Sequence, residues 1–136
     1  VYTGESAGIM AILKSIETSK APGAIGPYSQ GIQMGDLIFV SGQIPIDPNT
    51  GSMVDGGIES QTAQVIKNVS GVLEASGSSL NKVVKTTVYL ADLNLFQEMN
   101  KVYAESFEGH RPARATVEVG LPEGISIEID AIAVIG

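Results

Sequence analysis

From Ile58 onward the apolar positions recur at helical spacing. Ile58, Thr62, Val65, Ile66, Val69, Val72 and Leu73 form one stripe, with Glu59, Lys67 and Glu74 off it, and Gly77 offers a left-handed stop. A second helix is predicted by Phe96, Met99, Tyr103 and Phe107, opened by an Asn94/Gln97 capping box and stopped at Gly109. Elsewhere the period is two. Ile12 to Thr18 reads as a strand, Tyr28 to Met34 and Asp36 to Ser41 as a hairpin turning at Gly35-Asp36 and ended by Gly42, and Val83 to Leu90 as a strand rich in β-branched residues. Thr116 to Val119 and Ser126 to Val134 close the chain as two more strands, the last with Ile127, Ile129, Ala131 and Ala133 on one side. Prolines and glycines mark loops at 21–27 and 44–51. The order is strand, hairpin, helix, strand, helix, strand, strand, in one domain over residues 10–136. Residues 1–9 lack periodicity and are read as an appended or disordered leader outside the fold. Two helices can cover only one face of such a sheet, so an α+β fold is expected whose second face is buried by self-association.

Composition sharpens that expectation. The chain is 43% hydrophobic and only 17% charged, a lean surface for 136 residues and a reason to expect burial against copies of itself. With no cysteine there is neither disulfide nor thiolate, and a single histidine argues against a zinc site. A net charge of −7, with no basic run longer than His110-Arg111, would repel polyanions, which argues against nucleic acid as a partner. No apolar run has the length of a membrane span, and a soluble, cytoplasmic protein is expected.

Candidate chemistry is sparse. Arg114 stands at the start of a strand two residues after Pro112, and its planar guanidinium would be a costly buried cation without an anion to hold. Glu128 lies between two isoleucines on a strand too apolar for a solvent edge, where desolvation would raise its pKa and suit it to proton transfer. The two could meet at the ends of adjacent strands as a small polar site; equally, Arg114 could form a plain ion pair with Glu118 or Glu128. Tyr28, Ser41, Asn100 and Thr116 are individually weak signals. Ser29 lacks a nucleophile elbow, His110 lies in a loop, and the glycines at 23, 26 and 31 match no phosphate-binding pattern, so neither serine-type hydrolysis nor nucleotide binding is supported.

Ala24-Ile-Gly-Pro-Tyr-Ser-Gln-Gly31, Val40-Ser-Gly-Gln-Ile-Pro45, Lys85-Thr-Thr-Val-Tyr89 with Asp92-Leu-Asn94, Pro112-Ala-Arg-Ala-Thr-Val-Glu-Val119 and Ile127-Glu-Ile-Asp-Ala-Ile-Ala133 together resemble the RidA (YjgF) family of reactive-intermediate deaminases. The resemblance implies a chorismate-mutase-like fold, a mixed sheet of about six strands with two helices on one face, assembled as a homotrimer around a central β-barrel. It implies hydrolysis of 2-iminobutanoate and 2-iminopropanoate to 2-keto acids and ammonia, with no cofactor and no metal, removing by-products of pyridoxal-phosphate enzymes. Carried over, Arg114 would clamp the substrate carboxylate and Glu128 would activate water. Tyr28, Ser41, Gly42, Tyr89, Asn100 and Thr116 would line the cleft between subunits. The segment Phe107 to Pro112 is shorter than in some members, which bears on one cleft wall. Two other readings stay open: a non-enzymatic trimer binding small carboxylates, and an endoribonuclease or translation inhibitor.

Overall fold

The computed structural model describes residues 2–6 and 9–136. Strands β1 (Tyr2–Ser6), β2 (Ile9–Ile16), β3 (Gly31–Met34) and β4 (Leu37–Gln43) precede a small pair, β5 (Ile46–Asp47) and β6 (Ser52–Met53). Helix α1 (Ile58–Ala75), strand β7 (Val83–Leu90), helix α2 (Phe96–Phe107) and strands β8 (Ala113–Glu118) and β9 (Ile127–Val134) complete the chain. The main sheet runs β1-β2-β3-β4-β9-β7-β8. All its pairings are antiparallel except β7 with β8, which are joined through α2. Since β4 and β7 both run antiparallel to β9, they are parallel to each other, and the last strand fills the slot left by the β4-α1-β7 crossover.

The six expected strands and two helices are present, with β1 added at one edge. Within the stretch 1–9 read as lying outside the fold, Tyr2–Ser6 pairs with Met10–Leu13 and Ile9 of β2, so this part of it belongs to the sheet. Its backbone hydrogen bonds specify it where its side-chain pattern gives no signal. Val1, Ala7 and Gly8 lie outside the described residues. The loop 44–51 also holds more order than expected, because β5 and β6 close around Asp47 and Gly51, whose φ is +73°.

All seven positions of the α1 stripe are buried, and they pack on the side of β9 that carries Ile127, Ile129, Ala131 and Ala133. Two helix ends differ from expectation. Asn94 is no cap: Asp92 accepts the Asn94 N–H and starts a 3-10 turn, and α2 begins behind it at Phe96 without a side-chain cap. At the far end Glu108, not Gly109, takes the first left-handed position, with φ +49°, and Gly109 follows at +93°. Buried amides tie loops to this frame. Asn68 donates to the carbonyls of Ile44 and Ile46, Gln61 brackets Gly124 and Ser126, and Gln30 bonds Thr18, Ala21 and Pro22. No described helix is long and apolar enough to cross a membrane.

Candidate active site

Arg114 leaves β8 on the helix-covered face, since its register partners are Thr86 on β7 and, through it, the buried Ala131 on β9. Its guanidinium carbon sits 4.8 Å from the centre of the Tyr103 ring and 5.5 Å from that of Phe96, stacking distances for a cation on aromatic faces. Asn100, one turn before Tyr103, lines the same pocket of about 320 Å³. Thr116 leaves β8 on the same side, and its buried hydroxyl has no hydrogen-bond partner among the described residues. Glu118, one suggested ion-pair partner, instead accepts the Leu93 N–H at 2.9 Å.

Glu128 leaves β9 on the opposite, open face, paired in register with Tyr89. It lies across the backbone of β4 at Gly42, where a methyl group would overlap Glu128 Oε2 and stand 2.8 Å from its Cδ. Glycine there leaves the carboxylate this position, which a side chain at 42 would force it to give up. Desolvation, and next the Asp130 charge, raise the Glu128 pKa above the ordinary carboxylate value. Tyr89 donates to Asp130 Oδ2 at 2.8 Å, and its own phenol is pushed up by that hydrogen bond first and by burial second. Ser41 donates to the Ser29 carbonyl at 2.6 Å, which fixes the loop carrying Tyr28. Tyr28 is about half exposed and lines a small pocket with Gly42.

The residues singled out from sequence thus fall into two groups within one chain. Arg114, Asn100 and Thr116 gather beside α2; Glu128, Gly42, Ser41, Tyr89 and Tyr28 gather across the sheet. The expected meeting of Arg114 and Glu128 on adjacent strands does not occur, because β7 lies between β8 and β9 and the two side chains point to opposite faces. The same geometry removes the closed Arg114–Glu128 ion pair within the chain. Among the described residues no three His, Cys, Asp or Glu side chains converge as a metal site.

Tyr103 was legible only as one position of the α2 stripe, yet it is the floor under Arg114. Its hydroxyl is 2.7 Å from Thr86 Oγ1, a fully buried group. Burial raises the Tyr103 phenol pKa, opposed in part by the Thr86 hydrogen bond and by the charges of Arg114 and Arg111. Tyr103→Phe should therefore leave a buried hydroxyl unpaired and cost about 1–2 kcal/mol, seen as a lower urea midpoint. Adding Thr86→Val should recover most of that loss; additive losses in the double variant would show that the hydroxyl pair is not the cause.

This architecture, a mixed sheet with two helices on one face and a sparse arginine and glutamate chemistry divided between its faces, defines a class rather than one activity. The chain matches the family model described as Endoribonuclease L-PSP over residues 18–135. It belongs to that family, which includes the YjgF and RidA proteins. It is 58% identical over 119 residues to a RutC family protein of Pyrococcus abyssi, covering 87% of this chain and 94% of that one. It is 49% identical over 126 residues to the 2-iminobutanoate/2-iminopropanoate deaminase of Mus musculus, covering 92% of this chain and 93% of that one. The structure of TdcF from E. coli with bound serine superposes with a TM-score of 0.85 at 42% identity, covering 90% of this chain and 99% of that one.

Proposed function

We propose that this protein hydrolyses reactive 2-imino acids, such as 2-iminobutanoate and 2-iminopropanoate, to 2-keto acids and ammonia. The observation that carries the reading is the placement of Arg114, stacked on Tyr103, and Glu128, with its raised pKa, on opposite faces of one sheet; in this reading the first is the carboxylate-binding half and the second the proton-transferring half of a divided site. Such halves complete each other only between chains. The open face carries Leu37, Phe39, Ile132 and Val134, apolar groups that a neighbouring copy would cover. A homotrimer whose inward faces form a barrel, with three clefts each pairing one protomer's Arg114 with a neighbour's Glu128, satisfies both requirements. The relative named as a deaminase and the family neighbour with bound serine support a small amino-acid-like ligand.

The chemistry needs little more than these parts. A protonated imine carbon is already electrophilic, so the enzyme must hold the carboxylate, place a water and move protons. Arg114 offers a planar fork to the substrate carboxylate. Glu128 accepts a proton from water as its oxygen bonds to the imine carbon. It then returns a proton to nitrogen as the C–N bond breaks, and the hydroxyl proton passes to the departing ammonia, leaving a 2-keto acid and ammonium. In the cell, such imines leave pyridoxal-phosphate eliminating enzymes, and the protein would act beside them in the cytoplasm. The net charge of −7 weighs against RNA as the substrate.

The test is release of 2-ketobutyrate from imine generated in situ by an amino-acid oxidase. The wild type should accelerate it, and Glu128→Gln should slow turnover by about 10²-fold or more while 2-ketobutyrate still binds. The raised pKa sets the sign of the pH dependence. As pH falls through it, Glu128 gains a proton and cannot act as base, so the acidic limb of kcat/KM should lie above the ordinary carboxylate range and vanish in Glu128→Gln. Full turnover by Glu128→Gln would favour a trimer that only binds small carboxylates.

A further inference from the structure

The pocket that holds Arg114 is bordered by a second arginine, Arg111, at its exposed rim. Arg111 lines it with Asn100, Tyr103, Ala104, Pro112 and Arg114. A monocarboxylic imine needs one arginine, and two like charges around one cavity of about 320 Å³ repel unless anionic groups lie between them. Arg111 is not there by chance of a loose loop. The left-handed turn at Glu108 and Gly109 brings the chain straight back from α2, and the His110 N–H donates to Phe107 O at 3.0 Å. His110 Nε2 lies 2.7 Å from the Val83 carbonyl, which as an acceptor requires the ring N–H there and ties the loop to β7. Pro112 then fixes φ just after Arg111. Arg111 gives one N–H to the His110 carbonyl at 3.1 Å, leaving most of its five donors for a ligand. Both arginine charges lower the Tyr103 phenol pKa, and the Arg114 guanidinium lies over its ring.

Building on the deaminase reading, we propose that the preferred substrate class is a 2-imino acid carrying a second carboxylate on its side chain, the backbone carboxylate held by Arg114 and the side-chain carboxylate by Arg111. Imines derived from aspartate and glutamate have this form. The hydrolysis is unchanged in its atoms: water adds to C=N, the C–N bond breaks, ammonia leaves and a keto dicarboxylate remains.

The experiment compares kcat/KM for imines made in situ from L-glutamate and from L-2-aminobutanoate, in the wild type, Arg111→Gln and Arg111→Lys. The wild type should favour the dicarboxylic imine. Arg111→Gln should lower the dicarboxylic to monocarboxylic ratio by about tenfold or more, as expected for loss of one charge-assisted hydrogen-bonded contact, with Arg111→Lys between the two. A calorimetric comparison of 2-oxoglutarate with 2-ketobutyrate asks the same question without turnover. Tighter 2-oxoglutarate binding lost in Arg111→Gln would uphold the ligand class even if neither imine were hydrolysed, a result that would remove only the deaminase reading. Equal handling of both ligands by the wild type, or a ratio unmoved by Arg111→Gln, overturns the proposal.

Discussion

Arg114→Ala is expected to lower keto-acid release from 2-iminobutanoate by about 100-fold or more, the scale of about 3 kcal/mol for removing one partner of a desolvated charge pair. The protein itself should stay folded and associated as the wild type. Arg114 is only partly buried, and within the chain its losses are the stacking on Tyr103 and Phe96, each an interaction of about 0.5–1 kcal/mol at such sites. Arg114→Lys separates charge from shape. It keeps the cation but not the two-pronged donor geometry, so its rate should fall between those of the wild type and the alanine variant. Measured alongside sedimentation and urea unfolding, a wild-type rate for Arg114→Ala would remove the proposed anchoring role.

Gly71→Ala, a single added methyl group, should lower stability by about 3 kcal/mol or more. In an exposed helix interior the same change normally stabilises, by about 1 kcal/mol. Position 71 reverses that sign. A methyl there would overlap the carbonyl oxygen of Lys20 and stand 2.9 Å from its carbonyl carbon, and the obstacle is main chain, not a side chain that could swing away. The Lys20 segment cannot retreat cheaply, because Gln30 bonds the carbonyls of Thr18, Ala21 and Pro22 on either side of it. A chemical-denaturation midpoint equal to that of the wild type would show that α1 can shift outward at little cost.

Much of this architecture was written in local pattern. The α1 stripe and the bounds of β7 follow directly from spacing, since burial of one helix face and a run of β-branched residues are short-range properties. What local pattern cannot carry is the order of strands in space. Residues of β8 and β9 are near neighbours in sequence, and nothing in either segment announces that β7 separates them, so Arg114 and Glu128 read as a pair when they stand on opposite faces of the sheet. Gln30, Gln61, Asn68 and Thr86 look like solvated polar residues in a sequence, yet all four are buried because they satisfy loop backbone or each other's elements. Tyr103 and Arg111 escaped for a related reason: one counts as core and the other as surface, and only the turn after α2 brings the exposed Arg111 to the rim of the pocket over Tyr103.

The bare backbone at Gly42 sets where the acid of β9 comes to rest. Because the Glu128 carboxylate occupies the space a methyl group would need, a side chain at 42 would push that carboxylate aside. The displaced atoms are the far end of a flexible side chain, so the strands themselves need not move. The cost of filling position 42 would therefore fall on the aim of the carboxylate and not on the sheet that carries it.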